Sequence, residues 1–159
     1  MTGETLFTWL DRWANRGNPV ALIDGSTGAS IRYGELTAEV DALAAALAAH
    51  GLSAGDNLIV FVQRDATMVK LVLAASRLGA RCLPFVGNKV PPSAFDQARK
   101  LLQPKMILVS PESYEFTQWQ VPGEVWVDTA ALRGSDSIPF VFSPTANDIL
   151  YLNMSSGST

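Results

Sequence analysis

Three apolar runs decide the fold: Asn57 to Gln63 (N-L-I-V-F-V-Q), Arg81 to Val86 (R-C-L-P-F-V) and Lys105 to Val109 (K-M-I-L-V). The first is apolar at consecutive rather than alternate positions, the pattern of a strand buried on both faces. Between the first two runs, Asp65 is placed to cap a helix whose body, Met68 to Leu78, is apolar nearly all round and is closed by Gly79. Between the second and third, Pro91-Pro92 opens a shorter helix through Leu102, since proline is tolerated in a first turn. Strand, helix, strand, helix, strand at these lengths requires right-handed crossovers and a parallel sheet, so the class is α/β.

Upstream, Thr5 to Arg16 puts Leu6, Trp9, Leu10 and Trp13 at i, i+3, i+4 and i+7, one helical stripe that predicts core or interface packing. Asn15 and Gly17 end it. Val20 to Asp24 and Ala29 to Arg32 are short strands joined by Gly25-Ser26-Thr27-Gly28, which predicts a hairpin with ordinary turn chemistry. Tyr33 to His50 is the clearest helix, with Leu36, Val40, Leu43 and Leu47 on one face and Gly51 at its end. Arg32 holds its N-cap position and cannot accept amide bonds, so a weakened start is expected. Downstream of Val109, a helical turn over Glu112 to Phe116, a strand at Glu124 to Asp128 and a turn at Thr129 to Leu132 are expected. Gly134 to Asn147, with Pro139 and Pro144, reads as a connecting loop anchored by Phe140, Val141 and Phe142.

Composition restricts the function classes. With 159 residues, 48% hydrophobic and 17% charged, the chain is long enough for a core but carries more apolar content than a small solvated surface needs, which suggests self-association or burial against further chain. A net charge of -3 leaves no basic footprint, so neither nucleic acid nor a membrane is an expected partner. Cys82 is the single cysteine and excludes an internal disulfide; in its apolar run it reads as a small buried hydrophobe. His50 has no second ligand nearby, so no metal site is expected among these residues. The N-terminus lacks a basic stretch followed by an apolar core, and the apolar run Met68 to Ala80 is too short to span a bilayer, so a cytoplasmic location is expected.

The last stretch, Asp148 to Thr159 (D-I-L-Y-L-N-M-S-S-G-S-T), carries the chemistry. An apolar run predicts a strand that empties into a Ser/Gly loop, where Ser155, Ser156, Ser158 and Thr159 offer hydroxyls and Gly157 lets successive N–H groups face one concavity. This segment resembles the phosphate-binding loop of the adenylate-forming superfamily: acyl- and aryl-CoA ligases, nonribosomal peptide synthetase adenylation domains and luciferases. The family pattern is roughly Y-T-S-G-S-T-G-x-P-K, which Met154 to Thr159 follows with Met for Tyr and Ser for the first Thr. Two more stretches resemble the same family in the right order. Ile31 to Leu36 (I-R-Y-G-E-L) is similar to its L-T-Y-x-E-L signature, and Ser76 to Pro92 to its L-x-A-G-A-x-x-V-P-x-x-P segment.

That resemblance implies an incomplete N-terminal α/β subdomain over residues 1–147, followed at 148–159 by the strand and first half of the phosphate loop. It further implies a parent enzyme that joins a carboxylic or amino acid to ATP with Mg2+, releases pyrophosphate, and passes the acyl-adenylate to coenzyme A or a carrier-protein phosphopantetheine. Ser155, Ser156, Gly157, Ser158 and Thr159 would contact phosphate. The rest of the site would belong to later chain, so these 159 residues alone are expected to be inactive. The alternative is a non-catalytic interaction module that uses the same fold. A dinucleotide-binding Rossmann domain is disfavoured, because no G-x-G-x-x-G follows any of the strands.

Overall fold

A computed structural model describes residues 5–25, 27–87, 89–132, 143, 145, 147–149 and 151–154. The centre is a four-stranded parallel sheet in the order β4-β3-β5-β6, built from β3 (Asn57–Val62), β4 (Arg81–Val86), β5 (Met106–Val109) and β6 (Trp126–Asp128). Strand β3 is central, with Ile59 paired to Leu83 on one side and to Ile107 on the other. Its side chains alternate between two cores. Leu58, Val60 and Val62 pack with α2 (Tyr33–Ala49) and α3 (Ala66–Arg77), whereas Ile59 and Phe61 pack with α4 (Pro92–Leu102) and the 3-10 segment Pro111–Trp119.

The helices begin and end for local reasons. Asp65 accepts from the N–H groups of Thr67 and Met68 at 2.9 and 3.2 Å, the cap that its position predicts for α3. Pro92 opens α4, and the Asn57 side-chain amide donates to the Leu102 carbonyl at 2.6 Å, tying the end of α4 to the start of β3. Gly51 and Gly79 take φ of +92° and +75° just past α2 and α3, a conformation that costs glycine little.

At the start of α2 the sequence leaves a gap that the fold fills from elsewhere. The Arg32 side chain makes no capping bond; instead Asn18 Oδ1, on the turn after α1 (Leu6–Asn15), accepts from Gly34 N–H at 2.8 Å, and Glu35 accepts from Arg32 N–H at 2.8 Å. Arg32 in turn donates from its guanidinium to the Asn18 carbonyl at 2.8 Å. The weak start expected from Arg32 is thus repaired by a residue far off in sequence.

Three expectations need adjustment. In α1 the buried residues are Phe7 and Leu10, while Leu6, Trp9 and Trp13 are 36 to 38% exposed. Leu10 faces inward as expected, but Phe7 joins it in place of the tryptophans: the Arg77 guanidinium lies 5.0 Å from the Phe7 ring centre, and Trp9 and Trp13 rest at the rim on Tyr33, with centroids 5.6 and 6.3 Å away. The single turn expected over Glu112 to Phe116 extends to Trp119 as a 3-10 segment kinked at Ser113, which carries both Phe116 and Trp119 onto Phe61. Asp148 to Leu152, expected as a strand, has no strand among its described residues; Leu152 N–H donates to the Cys82 carbonyl of the sheet at 2.6 Å. The anchors Phe140, Val141 and Phe142 lie outside the described residues. The hairpin formed as expected, with β1 (Val20–Ile23) antiparallel to β2 (Ser30–Arg32) and the Asp24 carboxylate accepting from Thr27 N–H across the turn.

Two stability outcomes follow. Phe61→Ala, which empties a fully buried site, should cost about 3–5 kcal/mol in urea unfolding. Asn18→Ala, which removes the borrowed cap, should cost about 1 kcal/mol in the same measurement.

Candidate functional site

In a parallel sheet with helices on both faces, strands that leave in opposite directions open a crevice at their carboxyl ends. Here the chain leaves β3 through α3 toward β4, and leaves β5 toward β6 on the other side, so the switch lies between β3 and β5. A crevice of about 540 Å³ stands at that point, lined by Gln63 and Asp65 after β3, Ser110 after β5, Thr129 after β6, and Glu39 and Lys70 from α2 and α3.

Its polar groups are largely engaged with one another. The Lys70 ammonium is held by Glu39 at 2.5 Å, Asp65 is occupied as the α3 cap, and Ser110 Oγ donates to Ser113 Oγ at 3.2 Å. Among the described charged residues lining it, Glu39, Asp65 and Glu112 are acidic and Lys70 is basic. A polyanion such as a triphosphate would meet three carboxylates and one neutralised ammonium, which opposes binding.

The loop Ser155, Ser156, Gly157, Ser158 and Thr159 lies outside the described residues. The chain that leads into it is described, and it takes a different route from the crevice. Leu152 bonds to β4, and Leu152 and Met154 pack against the core on the α4 face, whereas the crevice opens between α2, α3 and the ends of β3, β5 and β6. The fold does not bring the crevice and the loop's lead-in together. Sequence reasoning missed the crevice because it is made by strand order, which no local motif signals.

A second feature that the sequence did not reveal supports the wall behind the lead-in. Arg99 on α4 ion-pairs through Nε with Glu124 Oε1 at 3.0 Å, donates to the Trp119 carbonyl at 2.7 Å, and sits 4.4 Å from the Phe95 ring centre. Glu124 also accepts from the Trp126 indole N–H at 2.9 Å. This pairing clamps α4 to the strand β6 across the aromatic core.

Two titratable groups are displaced from their ordinary values. Burial pushes the Cys82 thiol up to about 12, which removes thiolate at neutral pH and fits the small buried hydrophobe read from its sequence. The Tyr114 phenol is raised because it donates to the Asp128 carboxylate, which favours its protonated form. Among the described residues no group of three His, Cys, Asp or Glu side chains could hold a metal ion, and no helix is long and apolar enough to cross a membrane.

The family model for AMP-binding enzymes matches residues 10–159, nearly the whole chain. The chain belongs to the AMP-binding enzyme family. A fatty-acid–acyl-carrier-protein ligase of Mycobacterium marinum is 31% identical over 104 residues, which is 65% of this chain and 19% of that protein. The 4-coumarate–CoA ligase 5 of Oryza sativa subsp. japonica is 27% identical over 161 residues, covering 94% of this chain and 30% of that one. Among solved structures, the N-terminal domain of FACL13 from Mycobacterium tuberculosis superimposes with a TM-score of 0.81 at 19% identity, over 98% of this chain and 42% of that one. The chain therefore spans less than a third of these curated relatives. Its fold is that of the N-terminal part of adenylate-forming enzymes, as the three sequence resemblances implied.

The Cys82 shift yields a pH outcome. The unfolded thiol loses its proton near the ordinary value of 9.0 and the folded one only near 12, so the unfolded state releases the proton first. The contribution of Cys82 to stability should be whole below pH 9 and fall across the interval up to about pH 12. Denaturation of the wild type against Cys82→Ala over that range should give a stability difference that shrinks as pH rises; a constant difference would exclude the buried neutral thiol.

Proposed function

We propose that this chain supplies the N-terminal part of an ATP-dependent carboxylate-activating enzyme that forms an acyl-adenylate and then a thioester on coenzyme A or a carrier-protein phosphopantetheine. The observation that carries the reading is the family match over residues 10–159, which runs through the Ser/Gly loop at the end of the chain. The kinds of ligase among the relatives, one acting with an acyl carrier protein and one with coenzyme A, support the thioester step and leave both acceptors in play.

In this proposal Ser155, Ser156, Gly157, Ser158 and Thr159 hold the β- and γ-phosphates of ATP. Their hydroxyl and amide groups would stabilise the negative charge that grows on departing pyrophosphate, through preorganised donors that need no rearrangement at the moment of reaction. The acidic crevice supports this division of labour by repelling phosphate. Magnesium, when bound, would neutralise part of the same charge.

Holding phosphates in a fixed geometry means ordering several loop residues at a cost of about 1–2 kcal/mol each, which in this proposal the later parts of the enzyme offset. The 159-residue polypeptide alone is therefore expected to give no ATP–pyrophosphate exchange, whereas the full-length protein should exchange with its cognate acid. In the full-length protein, Ser158→Ala and Thr159→Ala should each lower that exchange about a hundredfold. Unchanged exchange in both variants would remove the loop from the phosphate site.

A further inference from the structure

Two 3-10 segments contribute to the walls of the crevice. Ser110, Pro111 and Glu112 line it at the start of Pro111–Trp119, and Thr129, Ala130 and Leu132 line it from the turn Thr129–Leu132. Each segment is anchored by part of its length: Ser113 and Phe116 are buried in the first and Leu132 in the second, whereas Tyr114 and Ala130 are exposed. The ladder between β5 and β6 ends at Val109 and Asp128, immediately before both segments. Backbone pairing therefore stops where these walls begin, and a 3-10 turn adds little rigidity of its own because its hydrogen bonds are poorly aligned. Beyond the ladder, one side chain joins the two. Asp128 Oδ1 accepts from Ala130 N–H at 2.7 Å, which fixes the first turn after β6, and Asp128 Oδ2 accepts from the Tyr114 hydroxyl. The Tyr114 carbonyl accepts from the Thr117 hydroxyl at 2.7 Å, so the segment that carries the phenol is braced from within.

We propose that Tyr114 is a positioning residue that latches the crevice: by holding the Asp128 carboxylate it keeps that carboxylate on Ala130 N–H, and so sets how far Thr129 and Ala130 stand from Ser110 and Glu112. A carboxylate gripped at one oxygen presents the other in a fixed direction. When the phenol lets go, Asp128 loses one of its holds, the cap on Ala130 loosens, and the rim between β6 and the buried Leu132 opens locally. The ladder and Leu132 stay in place, so the opening widens the crevice without unfolding the sheet. A crevice at the switch point of a parallel sheet is where such folds admit small molecules, and the latch governs entry to it. None of this depends on the function proposed above.

Amide hydrogen exchange at single-residue resolution on the full-length protein tests the latch. Tyr114→Phe, which removes only the hydroxyl, should make the Ala130 amide exchange about tenfold faster and leave the amides of β3 and β5 unchanged. Access to the crevice is read separately, by placing Thr129→Cys and following N-ethylmaleimide labelling in the peptide that contains residue 129. Adding Tyr114→Phe should speed that labelling by a similar factor. Because the phenol acts through the carboxylate, Tyr114→Phe should change Ala130 exchange no further once Asp128→Ala is present. Unchanged Ala130 exchange in Tyr114→Phe would overturn the latch, as would unchanged labelling. An effect of Tyr114→Phe that persists in full beside Asp128→Ala would overturn it too, and faster exchange throughout β5 and β6 would show that the bond merely supports the fold.

Discussion

The whole molecule depends on one strand having no solvent face. Each residue of β3 from Leu58 to Val62 is buried, so the sheet must be covered above and below, and the chain must cross over twice to do it. Phe61 shows the consequence most sharply. Its ring centre lies 4.6 to 6.2 Å from those of Phe85, Phe95, Phe116, Trp119 and Trp126, which come from β4, α4, the 3-10 segment and β6. Because side chains alternate along a strand, a slip of one residue would turn Phe61 into the α2 and α3 face and send Val60 or Val62 into the aromatic core. The register of the sheet is therefore secured by a single large side chain that fits on only one side.

That arrangement also decides where chemistry can occur. A parallel sheet aligns its carboxyl ends, and the order β4-β3-β5-β6 opens the crevice beside β3. Its described charged residues are mostly acidic, and Glu39 holds the Lys70 ammonium among them. The lead-in to the Ser/Gly loop bonds to the edge strand β4 and packs on the other face, against the aromatic core.

The central α/β unit was legible because it rests on local, redundant signals: apolar runs of strand length, a capping Asp65, glycines at helix ends and prolines at the start of α4. What was not legible depended on partners far away in the chain. Arg32 marks the start of α2 as uncapped, and nothing in the neighbouring residues reveals that Asn18 reaches in from the turn after α1. The stripe of α1 was misplaced for a related reason. Trp9 and Trp13 weigh most in any pattern of apolar size, yet a tryptophan can lie half-exposed across Tyr33 while the smaller Phe7 takes the inward position. The loop Ser155 to Thr159 was found by resemblance to a family pattern, and the family match extends through it; its roles remain those of the proposal.

Strand β4 bears on why the segment before that loop reads as a strand and has no strand among its described residues. Ile149 to Leu152 has the composition of a buried strand, and the free edge of β4 is where such a strand would lie. A strand needs a ladder, and a ladder needs donors and acceptors from both partners. Pro84 removes the central outward donor of β4, so composition can bring the segment to the edge while backbone chemistry limits it to the bond at Cys82. The same proline protects a parallel sheet edge from pairing with a foreign strand, because any approaching chain meets the same missing donor.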